Sequence, residues 1–444
     1  MAIKAYTYFV MMIKLKLHLL FCFLLPGLFA VAQIDTTPVF KGAVKASRQK
    51  TYSNIVKNSI IKNLSLPLTD STEENWEDAF YAMELINYKQ LWVNEKIKMA
   101  FDSAEKRSTG FQRALMELAY TNYTAEFKPN INKLFLVTKN AKVLAMCAEY
   151  LLRSDKSLKN IDKIGSVILK RRIEDFDNQE SASLIQYELL WPIMQLAEKE
   201  SYKVKLSPGK LLNTEFLKGN VVLYSIQRKN RNYPGIIIVK DTNGNFITTA
   251  PNKIFSLTQL ARSITNMPGY LTNGNTPQGI FRMYGFAVSK SAAIGPTENI
   301  QLTMPFETSV QHFLKDSTIV DSVWTPELYE RLLPDALKKY HPLFGTYYAS
   351  AIGRTEIIAH GTTVDPAYYK GQTFYPYTPT QGCLCTKEIW SDINGKRIIS
   401  DQQKLADAVK KAGGADGYLI VFEIDDQQKP VSIDEILPYL KIKQ

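Results

Sequence analysis

VVLYSIQRKNRNYPGIIIVKDTNGNFITTA, residues 221–250, is where the texture of the chain changes. It holds runs rich in Val, Ile and Tyr, with Asn243-Gly244 as turn residues between the second and third, and it reads as three short β segments. Downstream, GIFRMYGFAVS (279–289) and ENIQLTMPFE (298–307) continue the pattern, and TPELYERLLPDALKKY (325–340) reads as helical. GYLIVFEID (417–425) is a strongly β run, and SIDEILPYL (432–440) has the spacing of a final short helix. No P-loop and no dinucleotide glycine fingerprint follows any of these strands. The half beyond SPGK (207–210) is therefore mainly β with a few helices, an α+β region of enzyme size.

Upstream of about residue 205 the period is helical. Ser71 and Glu74 have capping-box spacing, and WEDAFYAMELI (76–86) continues with apolar residues three and four apart. Phe111, Leu115 and Leu118 repeat that spacing, as do Leu144, Cys147 and Leu151. NIDKIGSVILKRR (160–172) and SASLIQYELLWPIMQLA (181–197) follow after short polar breaks, as in a stack of antiparallel helix pairs. An irregular helical repeat is one reading of this stack, although no clean period marks it. A chain of 444 residues exceeds one core, so the expected organisation is an all-α domain over 33–206 and a mainly β domain over 207–444.

Residues 1–32 read as a secretory signal. Lys4, Lys14 and Lys16 precede the apolar run LHLLFCFLLPGLFAVA, and its Ala-Val-Ala end places cleavage near Ala32/Gln33. A membrane anchor is the other reading, but the run is short for a span and Pro26 interrupts it. The expected location is periplasmic or secreted. Loss of the leader's three lysines lowers the net charge from +11 to +8, a mildly basic surface without the long Lys/Arg run of a nucleic-acid binder. Such a charge favours anionic envelope surroundings or simply solubility.

Only Cys147, Cys383 and Cys385 remain after cleavage, too few for a disulfide framework. Cys147 shares a helical face with Val143 and Tyr150 and reads as a buried small hydrophobe. No His/Cys group has zinc-finger spacing, so structural zinc is not expected. In TPTQGCLCTKEIW (378–390), Cys383 follows a glycine, which permits a tight turn and close approach of a ligand to the main chain. A thiol nucleophile needs a base, and His360, ending the apolar run of RTEIIAHGTT (354–363) before a Gly-Thr turn, is the best-placed histidine. His312 and His341 sit among apolar and aromatic neighbours and read as packing or surface residues, and Arg354 and Lys387 as partners for acidic ligands or solvated charge.

HGT (360–362), TQGCL (380–384) and TPQGIF (276–281) together resemble the signature of the L,D-transpeptidases, the YkuD-type catalytic domain, in the family's order. The resemblance covers roughly 215–395 and leaves the helical half outside. It implies Cys383 as nucleophile, His360 as its base, and the Gly361 carbonyl orienting the imidazole. Thr380 and Gly382 would contribute to substrate binding, with amides around Gly382 and Cys383 holding the oxyanion. The implied reaction is acyl transfer on peptidoglycan stem peptides, forming 3-3 cross-links without cofactor or metal. The alternatives are an L,D-carboxypeptidase trimming the same stems, a non-catalytic wall-binding scaffold on a decayed domain, and a cysteine peptidase acting on proteins. The helical half would position the enzyme on the wall or on an envelope protein; the oligomeric state is left open. Three features depart from the pattern: His360 and Cys383 lie 23 positions apart, Gln381 replaces a frequent histidine, and Cys385 replaces Arg or Asn. The extra length, VDPAYYKGQTFYPY (364–377), reads either as a substrate lid or as a surface excursion. In an extended Cys383-Leu384-Cys385 the Cα atoms lie about 6.6 Å apart, so a strained disulfide is one reading and a buried Cys385 the other.

Overall fold

The computed structural model describes residues 37–197 and 206–440. The expected leader lies outside them, as do the residues just before 206 where the two halves meet.

The first half is helical. α1 (Lys45–Asn54) runs on through a π-helical stretch, Ile55–Lys62. It is followed by α2 (Glu73–Leu85), α3 (Leu91–Ser103), α4 (Thr109–Asn122), α5 (Lys128–Val137), α6 (Ala141–Ser154), α7 (Leu158–Lys170) and α8 (Gln179–Ala197). Side chains at helical spacing fill one core: Phe111, Leu115 and Leu118 of α4 and Val143, Cys147 and Tyr150 of α6 are all fully buried. Starts are fixed by short polar side chains that satisfy orphan amides: Ser108 accepts from the Phe111 amide (3.1 Å), and Asn140 from those of Lys142 and Val143 (3.0 and 3.2 Å). The cap near residue 70 differs from the expected Ser71–Glu74 box. Thr69 and Thr72 form the reciprocal pair around a 3-10 turn, and α2 begins at Glu73. α2, α4, α6 and α8 pack in a row, with α5 and α7 on its flank, as helix pairs stack.

The second half closes an eight-stranded barrel. Its strands are β1 (Val221–Arg228), β2 (Gly235–Lys240), β3 (Ser256–Leu260), β4 (Gly279–Ala287), β5 (Asn299–Thr303), β6 (Ile358–His360), β7 (Leu384–Thr386) and β8 (Asp416–Asp425). Around the barrel the order is β1-β8-β4-β5-β6-β7-β3-β2, closed by the antiparallel β2–β1 pair, so no edge is left open. β1–β8 and β6–β7 are parallel; the other pairs are antiparallel. The apolar runs look continuous because both faces are covered. Val221 and Leu223 join a core with Ala359, Leu384 and the helix α10 (Asp401–Ala412), whereas Val222, Tyr224 and Ile226 join a second core under short helices.

Some expected elements change. The third segment keeps only Thr248–Ala250 as strand. TPELYERLLPDALKKY breaks into Pro326–Glu330 and a 3-10 turn at Asp335–Leu337, because Pro334 cannot continue a helix. SIDEILPYL forms two 3-10 turns around Pro438 rather than one helix.

The chain from Pro38 onward packs as one unit. Met267, Tyr270, Leu271 and Ile352 lie in the core of the helical half, and Phe40, ahead of α1, packs its ring on Trp390. In the aromatic segment 364–377 the rings of Tyr368, Tyr369 and Phe374 pack on one another, 370–373 and 375–376 are exposed as in the surface reading, and the segment is anchored at three points. Tyr369 is buried and donates to the Leu85 carbonyl (3.0 Å), Arg48 pairs with Asp365 (2.9 Å), and Thr373 donates to the Asn232 carbonyl (2.7 Å). The segment straps the barrel to the helices.

Candidate active site

β6 and β7 bring the two expected residues together. In their parallel register Ala359 faces Leu384 and His360 faces Cys385. Ala359 and Leu384 point into the barrel core, so by alternation Ile358, His360, Cys383 and Cys385 share the opposite face. Cys383, two residues before the partner of His360 in this register, is then diagonal to His360 on that face.

The imidazole is 5% exposed, and its Nδ1 is hydrogen-bonded to the Gly361 carbonyl. That bond requires the proton on Nδ1 and leaves Nε2 as the free acceptor. Burial disfavours the imidazolium and lowers the His360 pKa to about 4, with the Gly361 carbonyl acting weakly the other way. The ring is thus a neutral base at neutral pH.

Cys383 lines a cavity of about 1000 Å³ together with Arg354, Glu356, Ile358, Gln381 and Asn273. Its sulfur accepts from the Ile358 amide (3.5 Å), and its thiol hydrogen is directed at the Glu356 carbonyl (3.7 Å). Among the described residues no hydrogen bond joins it to His360. Burial pushes the thiol pKa up, and the Ile358 amide and Arg354 pull it back. The resting pair is a neutral thiol and a neutral imidazole, and a proton could pass between them only if the thiol turned from the Glu356 carbonyl towards Nε2. Catalytic hydrogen bonds of ligand-free enzymes commonly tighten in this way on binding. Glu356 holds a left-handed backbone (φ +62°), which a glutamate rarely adopts, so strain is stored beside the sulfur.

The neighbouring residues hold the turn. Thr380 accepts the Gly382 amide (3.0 Å) and donates to the Cys383 carbonyl (2.9 Å), and Thr276 of the TPQGIF segment donates to the Gly382 carbonyl (2.8 Å). Thr380 and Gly382 are thus committed to the turn, and the Gly382 amide is not free for an oxyanion. Gly382 has φ +118°, and a side chain there would collide with the Arg354 guanidinium and the Gly274 carbonyl (2.6 Å). Gly361 is glycine for another reason: a Cβ would run into the carboxyl group of Glu388, which accepts from the Thr362 amide (3.1 Å) and the hydroxyls of Thr297 (2.6 Å) and Ser400 (2.5 Å).

Cys385 and Cys383 are both free thiols. Cys385 is buried against Thr378 (3.9 Å), and burial raises its pKa to about 12. His341 packs on Trp191 with ring centroids 4.0 Å apart and lies 3.0 Å from Glu188, a structural contact, whereas His312 is exposed on the rim of the Cys383 cavity. Arg354 is buried, not solvated. Sequence reasoning missed this because a lone arginine between Gly353 and Thr355 carries no local signal of burial. Among the described residues no group of His, Cys, Asp and Glu has the arrangement of a metal site.

Compared with known proteins, the chain matches no family model, no curated protein and no solved structure.

Proposed function

We propose that this chain is a peptidoglycan L,D-transpeptidase-like cysteine acyltransferase that acts outside the cytoplasm. The observation that carries the reading is a single cavity-lining thiol diagonal to a buried, neutral histidine whose other nitrogen is tied to the next residue's carbonyl. Nε2 of His360 takes the proton of Cys383, and the sulfur attacks the carbonyl of a stem peptide. The amine of the terminal residue leaves with that proton. A second amine then resolves the thioester into a 3-3 cross-link, or water resolves it and trims the stem. The cavity that Cys383 lines, about 1000 Å³, has the volume of a peptide-sized ligand. Incubation of the purified chain with peptidoglycan sacculi, followed by muropeptide analysis, tests this. New 3-3 dimers support transfer, tripeptides without dimers make the chain a carboxypeptidase, and an unchanged profile removes the enzymatic reading.

The thiol's hydrogen bond to Glu356 in place of His360 favours one second reading, a wall-binding scaffold that keeps the site's shape without its chemistry. An activated β-lactam such as a carbapenem separates the two, because only a nucleophilic Cys383 is acylated.

A further inference from the structure

Arg354 lies between the helix α9 (Gly345–Ala351) and β6 and is 3% exposed. A guanidinium so buried ordinarily has a carboxylate partner, because an unpaired charge is costly to desolvate. Among the described residues Arg354 has none. It donates instead to the main-chain carbonyls of Gly269, Gly274 (2.6 Å) and Asn275 (2.7 Å). Carbonyl dipoles fix the fork in place and leave its net charge uncancelled.

The cradle is itself held from outside the barrel. Its loop is pinned to the helices where Tyr270 donates to Glu149 (2.8 Å) and Asn273 to Glu117 (2.9 Å). On its other side the guanidinium touches the nucleophile's turn. Nη2 is the atom that a side chain on Gly382 would strike, and the Gly274 carbonyl takes only one of its two hydrogens. Arg354 and Cys383 line the same cavity.

We propose that Arg354 sets the charge at the nucleophile: its unpaired guanidinium is the positive field in which the Cys383 thiolate forms, leaving His360 only the proton to accept. The proton passes from the sulfur to Nε2 of His360, the electron pair stays on the sulfur, and nothing is oxidised or reduced. Arg354 acts through the Gly382–Cys383 turn and is a positioning residue. The mutual influence of the two groups has the matching sign: Arg354 lowers the thiol's pKa and Cys383 raises that of Arg354, while burial, the larger effect on each, raises the thiol's and holds Arg354 down to about 10; of the other charged groups, Glu356 raises the thiol's pKa and Arg231 lowers that of Arg354. The proposal rests on Cys383 being the nucleophile.

The test is the pH dependence of Cys383 alkylation by iodoacetamide, read by peptide mass spectrometry in the full chain. In Arg354→Gln the midpoint is expected at least one pH unit above wild type, about tenfold slower alkylation at a fixed pH below it, and Arg354→Lys is expected to recover half or more of that shift. An unchanged midpoint in a folded Arg354→Gln, with only thermal stability lost, overturns the proposal. If Arg354→Gln does not fold, Arg354→Met, uncharged and of similar length, is read the same way: a midpoint at least about one unit above wild type upholds the proposal, and an unchanged midpoint overturns it. Alkylation needs no cell-wall substrate, so inertness towards sacculi would sink the proposed function and leave this result standing.

Discussion

At the residue scale the site combines groups that burial keeps neutral. His360 has its pKa lowered to about 4 because the fold desolvates the imidazolium. An unfolded histidine takes up a proton near pH 6.5, so the stability tied to this residue is complete above that pH. It is lost as the pH falls towards 4, and amounts to about 3 kcal/mol over the window. His360→Asn removes the titrating group. Between pH 7.5 and pH 4 the wild type is expected to lose about 3 kcal/mol more than the variant in urea unfolding, and equal losses would mean that the ring is solvated. The identities of Cys383, His360, Gly361 and Gly382 were legible in the sequence because chemistry and turn geometry restrict residue type there. Arg354 and Glu388 were not, since a charge whose partners are the carbonyls of one remote loop, or a main-chain amide and two hydroxyls from separate segments, leaves no local pattern.

At the element scale, period and caps account for what could be read. The helical spacing of α4 and α6 survives intact because each buries a stripe against neighbours on both sides. β1 is buried on both faces throughout, β4 over its first five residues and β8 over Gly417–Phe422, and their register follows from that burial. β3, FSLTQLA in the sequence, escaped because it has five residues, mixed polarity and only its far end in the core. α10 escaped because its apolar face rests mostly on small alanines beside Leu405 and Val409 and opens with the buried polar Gln402, whose side chain bonds the Ala359 carbonyl (3.1 Å) and Thr386 (2.9 Å). Closure into a barrel pairs strands as far apart as β1 and β8, which no local signal reports. The caps are testable directly. Asn140→Ala leaves two amides of α6 unsatisfied and is expected to cost about 1 kcal/mol, read as a lower denaturant midpoint at unchanged m-value; no change would mean that water replaces the cap.

At the scale of the whole molecule, the helical half is a buttress for the site. Successive inner helices turn a glutamate towards the barrel side: Glu84 and Glu117 face Arg262 and Asn273, Glu149 meets Tyr270, and Glu188 meets His341. Burial raises the pKa of Glu84 and Glu117, and lifts Glu149 to about 7. A carboxyl raised in this way favours the fold below its ordinary range near 4.5, and that contribution is lost as the pH rises through 7. Glu149→Gln keeps the acceptor for Tyr270 and cannot ionise, so relative to wild type it is expected to gain about 1–3 kcal/mol between pH 4.5 and pH 8. Thermal unfolding at the two pH values checks this, and a constant difference would place Glu149 in water. Barrel, buttress and cradle serve a reaction only if the Cys383 thiol attacks an acyl group with His360 as its base. The most direct measurement is the rate of carbapenem adduct formation on Cys383 by peptide mass spectrometry, in wild type and His360→Ala. An adduct at Cys383 in wild type, formed at least about a hundredfold more slowly in His360→Ala, is the expected result; no adduct on Cys383, or one formed equally fast without His360, contradicts it.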